Sequence, residues 1–327
     1  MTTYFLGVDV GATRTRALIA DGRGQTAGLG QAGPGNHETV GYDGMWQALE
    51  SALDRALRGA AIGRDQIAGA GFGVAGYDWP SEREATLACI GRLGLDAPLE
   101  AVNDTILGLL AGSDEGWGVA VVSGTGCNCR GWDRARREGR VTGNGLWLGE
   151  AAGASELMYK VVHALAHQWT RRGPATALTP ALLRHTGARS LDDLLEGLVM
   201  NRIALDASAA PLVFQVAAAG DPVAVDLIHW AGRELGEMAN AVIRQIDLLD
   251  LEFDVILTGS MFDGGPLLVE PLRARIHTLA PGARLVRLAA PPAVGAVLLG
   301  MEQAGVAHGP AVRRALAQSA SQAATGG

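Results

Sequence analysis

Residues Tyr4 to Asp21, YFLGVDVGATRTRALIAD, constrain the fold more than any other stretch. Tyr4, Phe5, Leu6, Val8 and Val10 suit a largely buried strand, because aromatic and β-branched side chains pack well on a pleated surface. Gly11 then permits a sharp turn and a close approach of the backbone to an anion. Thr13 and Thr15 offer hydroxyl and amide donors, and Asp9 falls just before the turn. A carboxylate beside a phosphate-sized hole makes sense if a hydrated Mg²⁺ lies between them, since magnesium prefers oxygen ligands and keeps its waters. Taken alone, the same residues also describe an ordinary hairpin.

The design recurs, and recurrence separates the two readings. Trp117 to Trp132, WGVAVVSGTGCNCRGW, is again an apolar strand, a Gly124-Thr125-Gly126 turn and a second strand. Two such units, one opening each half of the chain, suggest a duplicated architecture that grips one polyphosphate from both sides. A third glycine turn, ILTGSMFDGG at Ile256 to Gly265, again follows an apolar strand.

Composition excludes several classes. The 327 residues suit two domains better than one, and 48% apolar against 19% charged residues is ample for a folded core. A net charge of −7, with no basic track, argues against nucleic acid. Lys160 is the sole lysine and no Gly-Lys pair exists, so a Walker-type phosphate loop is ruled out. Cys89, Cys127 and Cys129 make no disulfide framework. No apolar run reaches ~18 residues, and no signal core opens the chain, so a cytoplasmic protein without a membrane partner is expected.

Along the chain, Gly30 to Val40 is a loop that presents Asn36 and His37, with Asn36 alternatively a helix cap. Gly28, Gly30 and Gly33, and again Gly71, Gly73 and Gly76, spell G-x-G-x-x-G. Neither leads cleanly into a helix, so neither reads as a dinucleotide fingerprint; a crossing over a substrate is the better expectation for the second. Leu99 to Val102 reads as a short strand with Asn103 and Asp104 at its carboxyl end, where open α/β sheets place ligands. The competing reading is that Asp104 caps the next helix. His163 and His167 stand i, i+4 on a helix without the Glu of H-E-x-x-H, which favours a packed or surface pair over a metal pair. Expected domains are 1–114 and 115–308, with 309–327 a frayed tail.

DVGATRTRALIAD, GPGNH, AVNDT, VVSGTGCNCRGWD, the Gly143 to Gly153 loop, LTGS and PPAVGAVLLG, in this order, resemble the N-acetylglucosamine kinase branch of the BadF/BadG/BcrA/BcrD ATPase family. That family belongs to the actin–hexokinase–Hsp70 superfamily. The resemblance implies an α/β fold of two ribonuclease H-like domains with ATP, Mg²⁺ and a sugar in the cleft, and the expected assembly is a homodimer. Asp9 would hold the hydrated metal, with Gly11, Ala12, Thr13, Arg14, Gly124, Thr125 and Gly126 around the phosphates. Gly259 and Ser260 would lie near the adenosine. Asn36, His37, Gly76, Asn103, Gly145 and Glu150 would face the sugar, and Asp104 would be the base on the attacking hydroxyl. Such roles suit phosphoryl transfer, which needs positioning and charge neutralisation more than covalent catalysis.

One departure bears on the substrate. The resembling sequences read Gly-Asp-Glu-Gly-Ser where this chain has Gly149-Glu150-Ala151-Ala152-Gly153. Deleting a hydrogen-bond partner from a polar site shifts selectivity by orders of magnitude. Glucosamine, N-acetylglucosamine, N-acetylmuramic acid and related sugars therefore stay open. Two rival classes stay open beside them. An ATP-driven activator of a radical dehydratase would need thiolates on an exposed shared edge, and a sugar sensor would keep the fold without turnover.

Overall fold

The computed structural model describes residues 2–325. The chain opens with β1 (Tyr4–Val10), β2 (Thr15–Asp21), β3 (Thr26–Ala32), α1 (His37–Ala60), β4 (Ile67–Val74), α2 (Arg83–Gly91), β5 (Leu99–Asn103) and α3 (Asp104–Gly112). It continues through β6 (Gly118–Ser123), β7 (Cys127–Trp132), β8 (Glu138–Val141), α4 (Ala154–Trp169), α5 (Leu178–Thr186), α6 (Leu191–Val199), α7 (Ala210–Ala218) and α8 (Pro222–Gln245). It ends with β9 (Phe253–Thr258), α9 (Pro266–Leu279), β10 (Ala283–Arg287), α10 (Ala293–Gln303) and α11 (Pro310–Thr325). None of the described helices is long and apolar enough to cross a membrane.

Two compact units result. The first holds residues up to Ala120 together with those from Val286 onward, and the second holds Val121–Leu285. Each carries one five-stranded sheet, ordered β3-β2-β1-β4-β5 in the first and β8-β7-β6-β9-β10 in the second. The two orders are one topology repeated, so both units are ribonuclease H-like and the doubled strand–turn–strand pattern is an architectural repeat.

Register fixes what the first sheet can present. β1 runs antiparallel to β2 and parallel to β4, and β4 runs parallel to β5. Val10 stands opposite Val74, and Val74 opposite Asn103. The carboxyl ends of three parallel strands therefore meet along one edge, which is where open α/β sheets bind ligands. β1 and β5 lie two interstrand spacings apart, about 10 Å.

Packing explains the strand glycines. α1 buries Met45, Leu49, Ala52, Leu53, Ala56 and Leu57 at helical spacing against this sheet. A Cβ on Gly28 or Gly30 would collide with the carbonyls of Ala56 and Ala52. On the opposite face, a Cβ on Gly71 would strike the carbonyl of Ala296, and one on Gly7 the amide of Val297. Both G-x-G stretches are thus seats for closely packed helices. Gly71 and Gly73 meet α10 and Leu107 of α3 rather than crossing a substrate, and Gly76 is the residue of that stretch held at positive φ, +78°.

The C-terminal segment divides differently from the expected 115–308 domain and frayed 309–327 tail. α10 packs on β1 and β4 of the first unit, and α11 continues beside it. Leu316 and Ala320 are buried with Phe5 and Leu18 in one core cluster. The buried Arg313 donates to the Leu110 carbonyl (3.1 Å) and pairs with Asp114 (3.2 Å). The spacing Val312, Leu316, Ala320 makes an apolar stripe too thin to show through the alanine-rich composition. Residues 326 and 327 of that tail lie outside the described ones.

Candidate active site

In the first unit the β1–β2 turn is closed by Gly11 N–H donating to the Arg14 carbonyl and tied to the next loop by Gly35 N–H donating to the Gly11 carbonyl, both 3.0 Å. Ala12, Thr13 and Arg14 are exposed, whereas Thr15 is fully buried. Of the two threonines expected to offer hydroxyls, only Thr13 can meet a ligand. Asp9 is half-buried opposite Arg16 and Gly73. Burial pushes its carboxyl up to about 6, opposed by the nearby Arg16 and Arg14 guanidinium groups. No hydrogen bond or ion pair among the described residues holds the carboxylate. A single hard oxygen donor of this kind, charged at neutral pH, suits a cation that brings its own waters.

Along the same edge a hydrogen-bond network joins three loops. Asn36 caps α1: its Oδ1 accepts from Glu38 N–H (2.8 Å) while its Nδ2 donates to the Glu38 carboxylate (3.3 Å). Gly76, at φ +78°, passes so close that a Cβ there would lie 2.5 Å from Asn36 Oδ1. His37 is walled in rather than presented: its ring stacks on Tyr42 with centroids 4.7 Å apart, and Nε2 lies 3.3 Å from Glu82 Oε1. Glu82 Oε2 in turn accepts from the amides of Asp78 (2.9 Å) and Trp79 (2.8 Å).

Asn103, 3% exposed, departs from its expected sugar-facing role. Its Nδ2 donates to the Tyr77 carbonyl (3.1 Å) and to Asp78 Oδ1 (3.0 Å), and its Oδ1 accepts from Thr105 N–H (3.0 Å). Asn103 is therefore the N-cap of α3, and both donor hydrogens of its amide are used inside the protein. The competing cap role for Asp104 is removed by the same bonds. Asp104 is the first residue of the helix, half-buried at the end of β5.

In the second unit the Gly124–Gly126 turn is tied to α4 by Ala154 N–H donating to Gly124 (2.8 Å) and Ser155 N–H to Thr125 (2.9 Å). Gly259, at φ +103°, lies against the Ser123 carbonyl, so the third glycine turn abuts the second. Gly124, Thr125 and Ser260 line one cavity of about 560 Å³, whose further walls are Ala207, Pro211 and Phe214. The cavity thus combines the backbone of a glycine turn with apolar and aromatic walls, a lining of the kind small-molecule sites have.

The Gly143 to Gly153 loop behaves otherwise than expected. Glu150 does not stand clear for a sugar; its carboxylate accepts from Thr142 N–H (3.3 Å), Thr142 Oγ1 (3.1 Å) and Asn144 N–H (2.8 Å). Its amide donates to the Gly145 carbonyl (3.0 Å), so Gly145 and Glu150 close the loop on itself. Ala151 is buried. Cys127 and Cys129 are buried in β7, and burial pushes the Cys127 thiol up to about 12 and raises Cys129 as well, so neither stands on the exposed edge that a shared iron–sulfur cluster needs. His163 and His167 gather no third ligand among the described residues.

Sequence reasoning missed four participants. Asp78 and Glu82 had a signal, since Trp79-Pro80-Ser81-Glu82 carries Pro and Glu at helix-starting positions. Asn128, which keeps a buried Oδ1 without a partner beside Thr142, lies two residues after the Gly124–Gly126 turn. Phe214 had none, because its wall of the cavity comes from a helix about 90 residues beyond the turn it faces.

Comparison with known proteins agrees with this geometry. The chain is 25% identical to the N-acetyl-D-glucosamine kinase of Dictyostelium discoideum over 310 residues, covering 91% of this chain and 97% of the relative. It is 22% identical to the N-acetylmuramic acid/N-acetylglucosamine kinase of Clostridium acetobutylicum, covering 90% and 97%. A crystal structure described as a candidate N-acetylglucosamine kinase from Chromobacterium violaceum superposes with a TM-score of 0.65 at 26% identity, covering 91% of this chain and 98% of that one. The profile of the BadF/BadG/BcrA/BcrD ATPase family matches residues 6–300, and the chain belongs to that family.

Proposed function

We propose that the protein is an ATP-dependent sugar kinase whose acceptor is an amino sugar such as N-acetylglucosamine or glucosamine. The observation that supports this reading is the placement at the β5–α3 junction: Asn103 caps the helix, and Asp104 begins it at the carboxyl end of a parallel strand, where open α/β sheets bind ligands. The sugar hydroxyl oxygen attacks the γ-phosphorus and its proton passes to Asp104. The bond to the β–γ bridging oxygen breaks, and ADP departs with that oxygen. With the Gly11 and Gly124 amides closing their own turns, the amides of Ala12 and Thr13 in the first unit and of Thr125 and Gly126 in the second would face phosphate oxygens, and Ser260, Pro211 and Phe214 would hold the adenosine. Asp9 holds hydrated Mg²⁺, which neutralises charge on the phosphates when bound.

The kinase names of relatives that match nearly end to end support the reaction class. The test is a coupled ADP-release screen of the purified protein with Mg-ATP over glucosamine, N-acetylglucosamine, N-acetylmuramic acid and glucose. Sugar-dependent ADP release with one amino sugar far ahead of glucose is expected. ADP release that ignores every sugar would point to a plain ATPase instead.

A further inference from the structure

We infer that Asp78 is the positioning residue for Asp104, acting through the side-chain amide of Asn103; the inference rests on the kinase reading above. Asp78 is a buried carboxylate, 8% exposed, on the turn after β4. Burying a carboxylate carries a large desolvation cost, so a chain that needed only a turn here would do better with a neutral side chain. What the charge gains is a hold on Asn103: Asp78 Oδ1 accepts from Asn103 Nδ2 at 3.0 Å.

That hold decides which way round the Asn103 amide sits. Its other amide hydrogen goes to the Tyr77 carbonyl at 3.1 Å, and its oxygen takes Thr105 N–H at 3.0 Å. A flipped amide would set its oxygen against two acceptors and its NH₂ against a donor. The carboxylate and the carbonyl therefore lock Asn103 as the cap of α3, and the capped turn begins with Asp104 itself.

Asp78 is held in turn. Glu82 accepts from the main-chain amides of Asp78 and Trp79 and reaches His37 with its other oxygen. The chain His37–Glu82–Asp78–Asn103 thereby couples the start of α1 to the start of α3. A general base must sit within hydrogen-bond reach of its proton, and a misplacement near 1 Å costs on the order of 10²-fold. The network fixes the backbone from which Asp104 projects.

The experiment uses the full-length protein and the best sugar from the screen, with Asp78→Ala, Asp78→Asn, Asp104→Asn and the Asp78→Ala/Asp104→Asn double variant. Asp78→Ala should lower kcat roughly 10- to 100-fold with both KM values within about 3-fold. Asp78→Asn still offers an oxygen to Asn103 and should stay within about 5-fold of wild type. In the Asp104→Asn background the Asp78→Ala loss should shrink to about 3-fold or less, because the residue acts through the base. Hydrogen exchange at the Thr105 amide should quicken in Asp78→Ala. Losses that multiply in the double variant, wild-type kcat in Asp78→Ala, or unchanged Thr105 exchange each overturn the inference. If Asp78→Ala does not fold, a loss beyond about 100-fold in Asp78→Asn with Thr105 still protected does the same. A wild-type protein that phosphorylates none of the sugars removes the kinase reading, while Thr105 exchange still decides the Asp78–Asn103 hold.

Discussion

Asp9→Asn should make the unliganded protein more stable and the enzyme far less active. Burial raises the Asp9 carboxyl from 3.8 to about 6, so the folded state disfavours its charge. Below about pH 4 the group is protonated in both states and contributes no difference. As pH rises toward 6 the unfolded chain releases its proton first, and stability falls. Above about pH 6 the full penalty is present, roughly 2–3 kcal/mol as an upper figure at one pKa unit per 1.36 kcal/mol. Asparagine is neutral throughout, so the variant should gain up to that amount at pH 7.5 and about a third of it at pH 4.5. Urea unfolding without magnesium or nucleotide, at both pH values, measures the gain. Turnover should fall strongly and its magnesium dependence weaken, the trade expected where a strained charge serves function. Equal stability at pH 7.5, or the same gain at pH 4.5, would refute the reasoning about burial. Unchanged kinetics would refute the metal role.

Three further outcomes follow from single contacts. Asp104→Asn should lower kcat roughly 10²–10⁴-fold while thermal melting and sugar affinity stay near wild type, because Asn103 keeps the cap; a large melting shift with intact kcat would return Asp104 to a structural role. Phe214→Ala opens one wall of the second unit's cavity and should raise the KM for ATP about 10-fold without moving that for the sugar, since an aromatic wall of this kind contributes on the order of 1.4 kcal/mol. Leu316→Ala, fully buried in α11, should cost about 2–4 kcal/mol in urea unfolding, whereas a loose tail would show no change.

What could be read from the sequence was local. The three glycine turns and Asn103-Asp104 at a strand end follow from short-range rules of strand composition and turn chemistry. The non-local features escaped. Gly71 looks like a ligand-loop glycine until α10, more than 200 residues later, is seen lying on it. α11 reads as a tail because its few apolar residues acquire meaning only against Phe5 and Leu18. Asn103 looked like a ligand group because no local pattern announces that Tyr77 and Asp78 consume its hydrogens.

Glu150 carries the same lesson into the question of the sugar. Glu150 stands where resembling sequences have an aspartate, one methylene shorter, and it was expected to face the sugar. Length instead lets it fold back: it accepts three bonds from Thr142 and Asn144 while its amide closes on Gly145. A carboxylate with three donors already on it gains less from a sugar hydroxyl and loses more by turning away from its loop. Ala151 offers no polar atom of its own side chain, and it is buried. The polar side chain in this region that is left with unused capacity is Asn128, whose buried Oδ1 has no partner while its Nδ2 rests on the Thr142 carbonyl. Glu150 therefore shapes the loop rather than standing clear of it, and the neutral oxygen of Asn128 lies beside Thr142, the residue that holds the Glu150 carboxylate.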